Sequence, residues 1–143
     1  MNLAIDASVL IKFYVPEILS DRAERLLAKV EREEIGLLAP DLIYPEAGNT
    51  LWMKQRLKEL TRSEVEEITD AILSLPLKIE ASKPLLSFAV ELATAYGITV
   101  YDALYISLAK VYETTLITAD RKLAEGLDKT DLRDSVTWLG SYK

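Results

Sequence analysis

The chain has 143 residues with 50% hydrophobic content, 28% charged residues, no cysteine and no histidine, and its formal net charge is −6 with a pI near 4.8. That length and apolar content suit a single domain with a real core, and no apolar run approaches the roughly 20 residues of a bilayer span. The missing residue types exclude disulfides, thiolate metal sites and Ser-His-Asp catalysis, and the acidic balance argues against a generic nucleic-acid-coating protein.

Short apolar runs alternate with longer helical ones. Leu3 to Ile5 predicts a first strand and Ser8 to Tyr14 a short helix stopped before Pro16. Asp21 to Glu34 carries Ala23, Leu26, Leu27 and Val30 at helical spacing, and Ile35 to Ala39 predicts a strand ended by Pro40. Pro45 to Leu60 predicts a helix with proline in its opening turn. Thr61-Arg62-Ser63-Glu64 is a capping-box pattern that opens another helix, through Leu75. Leu77 to Ile79 predicts a short strand or an extended connection, and Ser82 is expected to cap a helix ended by Gly97. A helix from about Tyr101 to Tyr112, a strand over Thr115 to Thr118, a helix from Asp120 to Leu127 and a last strand over Val136 to Leu139 complete the pattern. Such alternation predicts an α/β fold, a central, mostly parallel sheet of four to five strands flanked by helices. Met1-Asn2-Leu3 enters a strand without a basic leader, so a cytoplasmic location and no membrane contact are expected.

Four acidic residues end strand-like runs or begin helices. Asp6 follows Leu3-Ala4-Ile5, Glu46 follows Leu42-Ile43-Tyr44-Pro45, Asp102 follows Ile98-Thr99-Val100-Tyr101, and Asp120 follows Leu116-Ile117-Thr118-Ala119. Each alone is explained by helix capping or by the helix dipole. Asp6 and Asp120 are expected at the carboxyl ends of a parallel sheet, where such folds bind ligands, and Glu46 and Asp102 can reach the same rim from helix starts. An all-oxygen cluster in a chain without histidine favours magnesium or manganese. The five glycines form neither a Gly-x-Gly-x-x-Gly nor a Walker pattern, which argues against dinucleotide and P-loop chemistry. Asp6-Ala7-Ser8 also lacks the second acid of a haloacid-dehalogenase-like phosphotransferase.

The basic groups Lys54, Arg56 and Lys58, and Arg121 and Lys122, read first as solvated helix faces. Tyr101 and Tyr105, one helical turn apart, are candidates for base stacking or site support, with core packing expected for one of them. Trp52 and Met53 with Phe13 and Tyr14 suggest either a self-association patch or ordinary core.

Asp6-Ala7-Ser8-Val9-Leu10-Ile11-Lys12, continuing to Val15-Pro16-Glu17, resembles the opening of PIN-domain ribonucleases, specifically VapC-type toxins. Pro45-Glu46-Ala47-Gly48-Asn49-Thr50-Leu51 resembles that family's Glu-x-x-Asn-x-Leu segment. Tyr101-Asp102-Ala103-Leu104-Tyr105 with Leu108-Ala109, and Thr118-Ala119-Asp120-Arg121-Lys122-Leu123, resemble its third and fourth blocks. The blocks stand in family order across nearly the whole chain, so the resemblance implies one PIN-like nuclease domain over residues 1–143.

It further implies that Asp6, Glu46, Asp102 and Asp120 are the catalytic, metal-binding quartet, with Ser8, Asn49 and Thr118 in support. Asp6 and Asp120 are expected to hold the principal Mg2+ or Mn2+ ion, with Asp102 and Glu46 completing the shell directly or through water. The implied activity is divalent-metal-dependent hydrolysis of RNA. The implied setting is the toxin half of a toxin–antitoxin pair, a homodimer whose cognate antitoxin covers the acidic site with a basic residue. Three other readings stay open: an RNA-processing nuclease without an antitoxin, a receiver-type phosphoacceptor domain, and a PIN-like binding module without activity.

Overall fold

The computed structural model describes all residues from Met1 to Lys143. Five parallel strands form one sheet in the order β3-β2-β1-β4-β5: β1 (Asn2–Ile5), β2 (Gly36–Pro40), β3 (Leu77–Glu80), β4 (Leu116–Thr118) and β5 (Val136–Trp138). Leu3, Ala4 and Ile5 are fully buried although successive side chains point to opposite faces. Both faces of β1 are therefore covered, as a central parallel strand requires. The strand order turns around at β1: the chain first builds outward through β2 and β3, then returns to place β4 on the other side. A receiver-type domain has the order 2-1-3-4-5, so this topology removes the phosphoacceptor alternative.

Seven helices connect and flank the strands: α1 (Ala7–Lys12), α2 (Ser20–Glu31), α3 (Ile43–Arg56), α4 (Arg62–Ser74), α5 (Leu86–Tyr96), α6 (Val100–Val111) and α7 (Arg121–Leu127). In α6, every residue from Ala103 to Ala109 is buried, which makes it the innermost helix, packed over β1, β2 and β4. The capping box opening α4 is complete: the Thr61 hydroxyl accepts from Glu64 N–H at 3.1 Å, and the Glu64 carboxylate accepts from Thr61 N–H at 2.9 Å. Gly97 ends α5 in the left-handed region, φ 67°, where a Cβ is disfavoured. No single helix is long and apolar enough to cross a membrane.

Two local expectations are corrected, and the starts of α3 and α6 follow from local chemistry. Thr99 caps α6 by accepting from Asp102 N–H at 3.1 Å, so the helix expected from about Tyr101 starts at Val100. The helix expected from Pro45 starts two residues earlier, at Ile43, and its first turn lacks intrahelical acceptors and so tolerates proline. The same helix stops at Arg56, leaving Leu57 exposed, and Lys58 takes a left-handed conformation. Ser82 makes no capping hydrogen bond; a single 3-10 turn over Lys83–Leu85 leads into α5 instead.

Candidate active site

The β1–β4 ladder pairs Ala4 with Leu116 and Ile5 with Ile117. One residue further, at the crevice where the strand order reverses, Asp6 meets Thr118. The Thr118 hydroxyl donates to Asp6 Oδ2 at 2.5 Å and the Ser8 hydroxyl donates to Oδ1 at 2.5 Å. Both hydroxyls are themselves oriented. Ser8 Oγ accepts from Ala119 N–H at 3.0 Å and Thr118 Oγ1 accepts from Asp120 N–H at 3.1 Å. Asp6 also accepts from Val9 N–H at 3.2 Å, so it caps α1 while facing the crevice. Capping and site membership coexist in one residue. Burial raises the Asp6 carboxyl from its ordinary 3.8 to about 6, and the charge of Asp102 adds to this. The hydrogen bonds from Ser8, Thr118 and Val9 oppose the rise without cancelling it.

The other three acids reach the same rim from different elements. Asp120 caps α7, its Oδ1 accepting from Leu123 N–H at 3.1 Å. Asp102 stands in the first turn of α6, and its carboxyl is raised by burial and then by the charges of Asp120 and Glu46. Glu46, in the first turn of α3, accepts from the Tyr105 hydroxyl at 2.5 Å. Tyr105 is held protonated, first by burial and then by that bond and by the charges of Glu46, Asp6 and Asp102.

None of the four acids has an ion-pair partner, since every salt bridge in the chain uses other carboxylates. This is an uncompensated cluster of hard oxygen donors, and its chemistry fits a divalent cation of the magnesium or manganese kind. A ready-made ion cage is nevertheless not formed: no three of these side chains stand close enough together to hold a metal. Both Asp6 oxygens are occupied by hydroxyl donors.

Two of the acids, Glu46 and Asp120, open onto a cleft of about 650 Å³ lined also by Ser8, Lys12, Glu17, Asn49 and Lys54, among others. Asn49 thus lies on its wall. Lys54 does not share a solvated face with Arg56 and Lys58. It turns inward to Glu17 Oε2 at 3.1 Å, while Lys12 reaches Glu17 Oε1 at 3.0 Å. Burial alone would raise the Glu17 carboxyl, but the two lysines' hydrogen bonds and charges hold it below the ordinary range. Tyr105 is the core member of its pair and Tyr101 is 62% exposed. The suggested aromatic patch divides, with Phe13 buried and Trp52 and Met53 exposed.

Sequence reasoning assigned no site role to Lys12 or Glu17, and left Tyr105 between stacking, site support and core. The available signal was their position inside the first and third motif blocks.

The PIN-domain family profile matches residues 3–126. The chain belongs to the PIN-domain family. Ribonuclease VapC3 of Pyrobaculum aerophilum is 35% identical to it over 127 residues, covering 87% of this chain and 94% of that protein. The crystal structure of PAE2754 from Pyrobaculum aerophilum superposes with a TM-score of 0.70 at 26% identity, over 99% of this chain and 85% of that one. VapBC2 from Rickettsia felis, solved with a DNA fragment from its promoter, shares the fold at a TM-score of 0.67 and 16% identity, over 96% of this chain and 98% of that one. This PIN domain is of the VapC type, with its acids where the sheet's topology turns around.

Proposed function

We propose that this PIN domain is a divalent-metal-dependent endoribonuclease and the toxin of a toxin–antitoxin pair. The observation that carries the reading is the gathering of Asp6, Glu46, Asp102 and Asp120 from four separate segments onto one rim without a basic partner. The VapC3 ribonuclease, similar over nearly its whole length, supports RNA as the substrate.

Asp6 and Asp120 would hold the principal Mg2+ or Mn2+ ion, with Asp102 and Glu46 completing its surroundings. Bound there, such an ion lowers the pKa of a water molecule and screens charge building on the phosphate. The protein's own contribution is orientation. Ser8 and Thr118 fix the Asp6 carboxylate, Tyr105 fixes Glu46, and α7 fixes Asp120. Glu46 and Asp102 then orient the attacking water, and Asn49 on the cleft wall is placed to meet the substrate.

An antitoxin carrying an arginine suits the same rim, because that charge would occupy the position a cation otherwise takes. The similarity of fold to VapBC2 supports this partner. The exposed Trp52 and Met53 on α3 suit a homodimer contact.

Incubation with a panel of defined RNAs, with manganese, magnesium or chelator, tests the proposal. Cleavage should require the metal and vanish in Asp120→Asn. Metal-independent cleavage, or full activity in the variant, would refute it.

A further inference from the structure

We propose that Lys12 and Lys54 form a phosphate-binding subsite for the RNA backbone beside the acidic rim, and that Glu17 occupies it in the free protein as a phosphate mimic. This deepens the nuclease reading and rests on it.

The problem the site must solve is electrostatic. RNA is a polyanion, the chain carries a net charge of −6, and the rim itself is acidic. Of the residues lining the cleft, only Lys12 and Lys54 are cationic. They come from different helices, α1 and α3, and their ammonium groups converge rather than spreading into solvent, with side chains only 13% and 18% exposed.

Their shared partner has the right shape. Each Glu17 oxygen takes one ammonium, at 3.0 and 3.1 Å, which is the arrangement two non-bridging oxygens of a phosphodiester would make. Lys54 also touches Glu59 at 3.6 Å, so it stays oriented when Glu17 leaves. Glu17 stands in the connection between α1 and α2, outside any regular element, and is the more exposed partner at 30%. A backbone phosphate displacing it would be gripped next to the acids. That grip sets which phosphodiester of the strand lies over them.

Binding of a labelled single-stranded oligoribonucleotide to the full-length Asp120→Asn protein tests this, measured by anisotropy as salt is raised from about 50 to about 200 mM. In that background, Lys54→Met should weaken binding severalfold and reduce the slope of log K against log salt by about 0.7 for one lost phosphate. Lys54→Arg should retain the slope, and Glu17→Gln should bind severalfold more tightly because its competing charge is gone. Misfolding would not produce that gain.

An unchanged slope in Lys54→Met, or unchanged or weaker binding in Glu17→Gln, overturns the subsite and leaves the trio as a tie between α3 and the α1–α2 connection. If the unmodified protein cleaves the same oligonucleotide while either of these results is found, only the subsite falls. If the unmodified protein neither binds nor cleaves it, the nuclease reading and the subsite fall together.

Discussion

Replacing Asp6 by asparagine should reverse its effect on stability between acid and neutral pH. The aspartate is buried, has no cationic partner, and titrates near 6 in the folded protein against an ordinary 3.8. A raised carboxyl favours folding only while the folded state keeps its proton, so the stability it confers is present in acid and is lost as pH rises through about 6. A displacement of about 2, at 1.36 kcal/mol each, comes to about 3 kcal/mol at neutral pH.

An asparagine side chain cannot ionise, so the Asp6→Asn variant escapes this loss. The amide oxygen can still accept from Ser8 and Val9, but the amino group faces the Thr118 hydroxyl and forfeits that acceptor, at a cost of about 1 kcal/mol. In chelator, the variant should therefore be about 1 kcal/mol less stable than the parent in strong acid and about 2 kcal/mol more stable near pH 7.5. Urea melts of both proteins from about pH 4 to about pH 8 read this directly, with most of the divergence falling below pH 6. Parallel stability curves over that range would refute the claim that Asp6 is a desolvated, uncompensated acid.

Manganese or magnesium at about 100 times its dissociation constant should stabilise the parent by about 2.7 kcal/mol, seen as a higher melting temperature than in chelator; no shift at millimolar metal would count against the site. Tyr105→Phe removes the hydrogen bond to Glu46 and should lower the cleavage rate while costing at most about 1.5 kcal/mol of stability, and an unchanged rate would remove Tyr105 from the positioning role. Thr61→Ala breaks the capping box of α4 and should cost about 1 kcal/mol in a urea melt with RNA cleavage unaltered, since Thr61 lies outside the cleft.

What sequence made legible was local. The capping box at Thr61, the glycine stop at Gly97 and the apolar run of β1 each carry their cause within a few residues. The helix carrying Asp102 was legible in the same way from its apolar run, and the Thr99 cap fixes its start. The four acids were identifiable because each abuts a strand end or a helix start. Their supporting contacts were not, because the partners are distant in the chain: Tyr105 and Glu46 lie 59 positions apart, and Glu17 and Lys54 lie 37. What holds the Asp6 carboxylate was not legible either, because one of its two hydroxyl donors, Thr118, comes from a distant strand.

Asp6 and its Thr118 donor are separated by 112 positions, and the strand carrying Thr118 lies on the far side of β1 and follows β2 and β3 in the chain. At about 5–20 residues per second, a ribosome makes the first motif several seconds before the last. Throughout that interval the nascent chain has one wall of its crevice and not the other. The pair of elements that builds the Asp6 side of the rim is therefore complete only once β4 has been made.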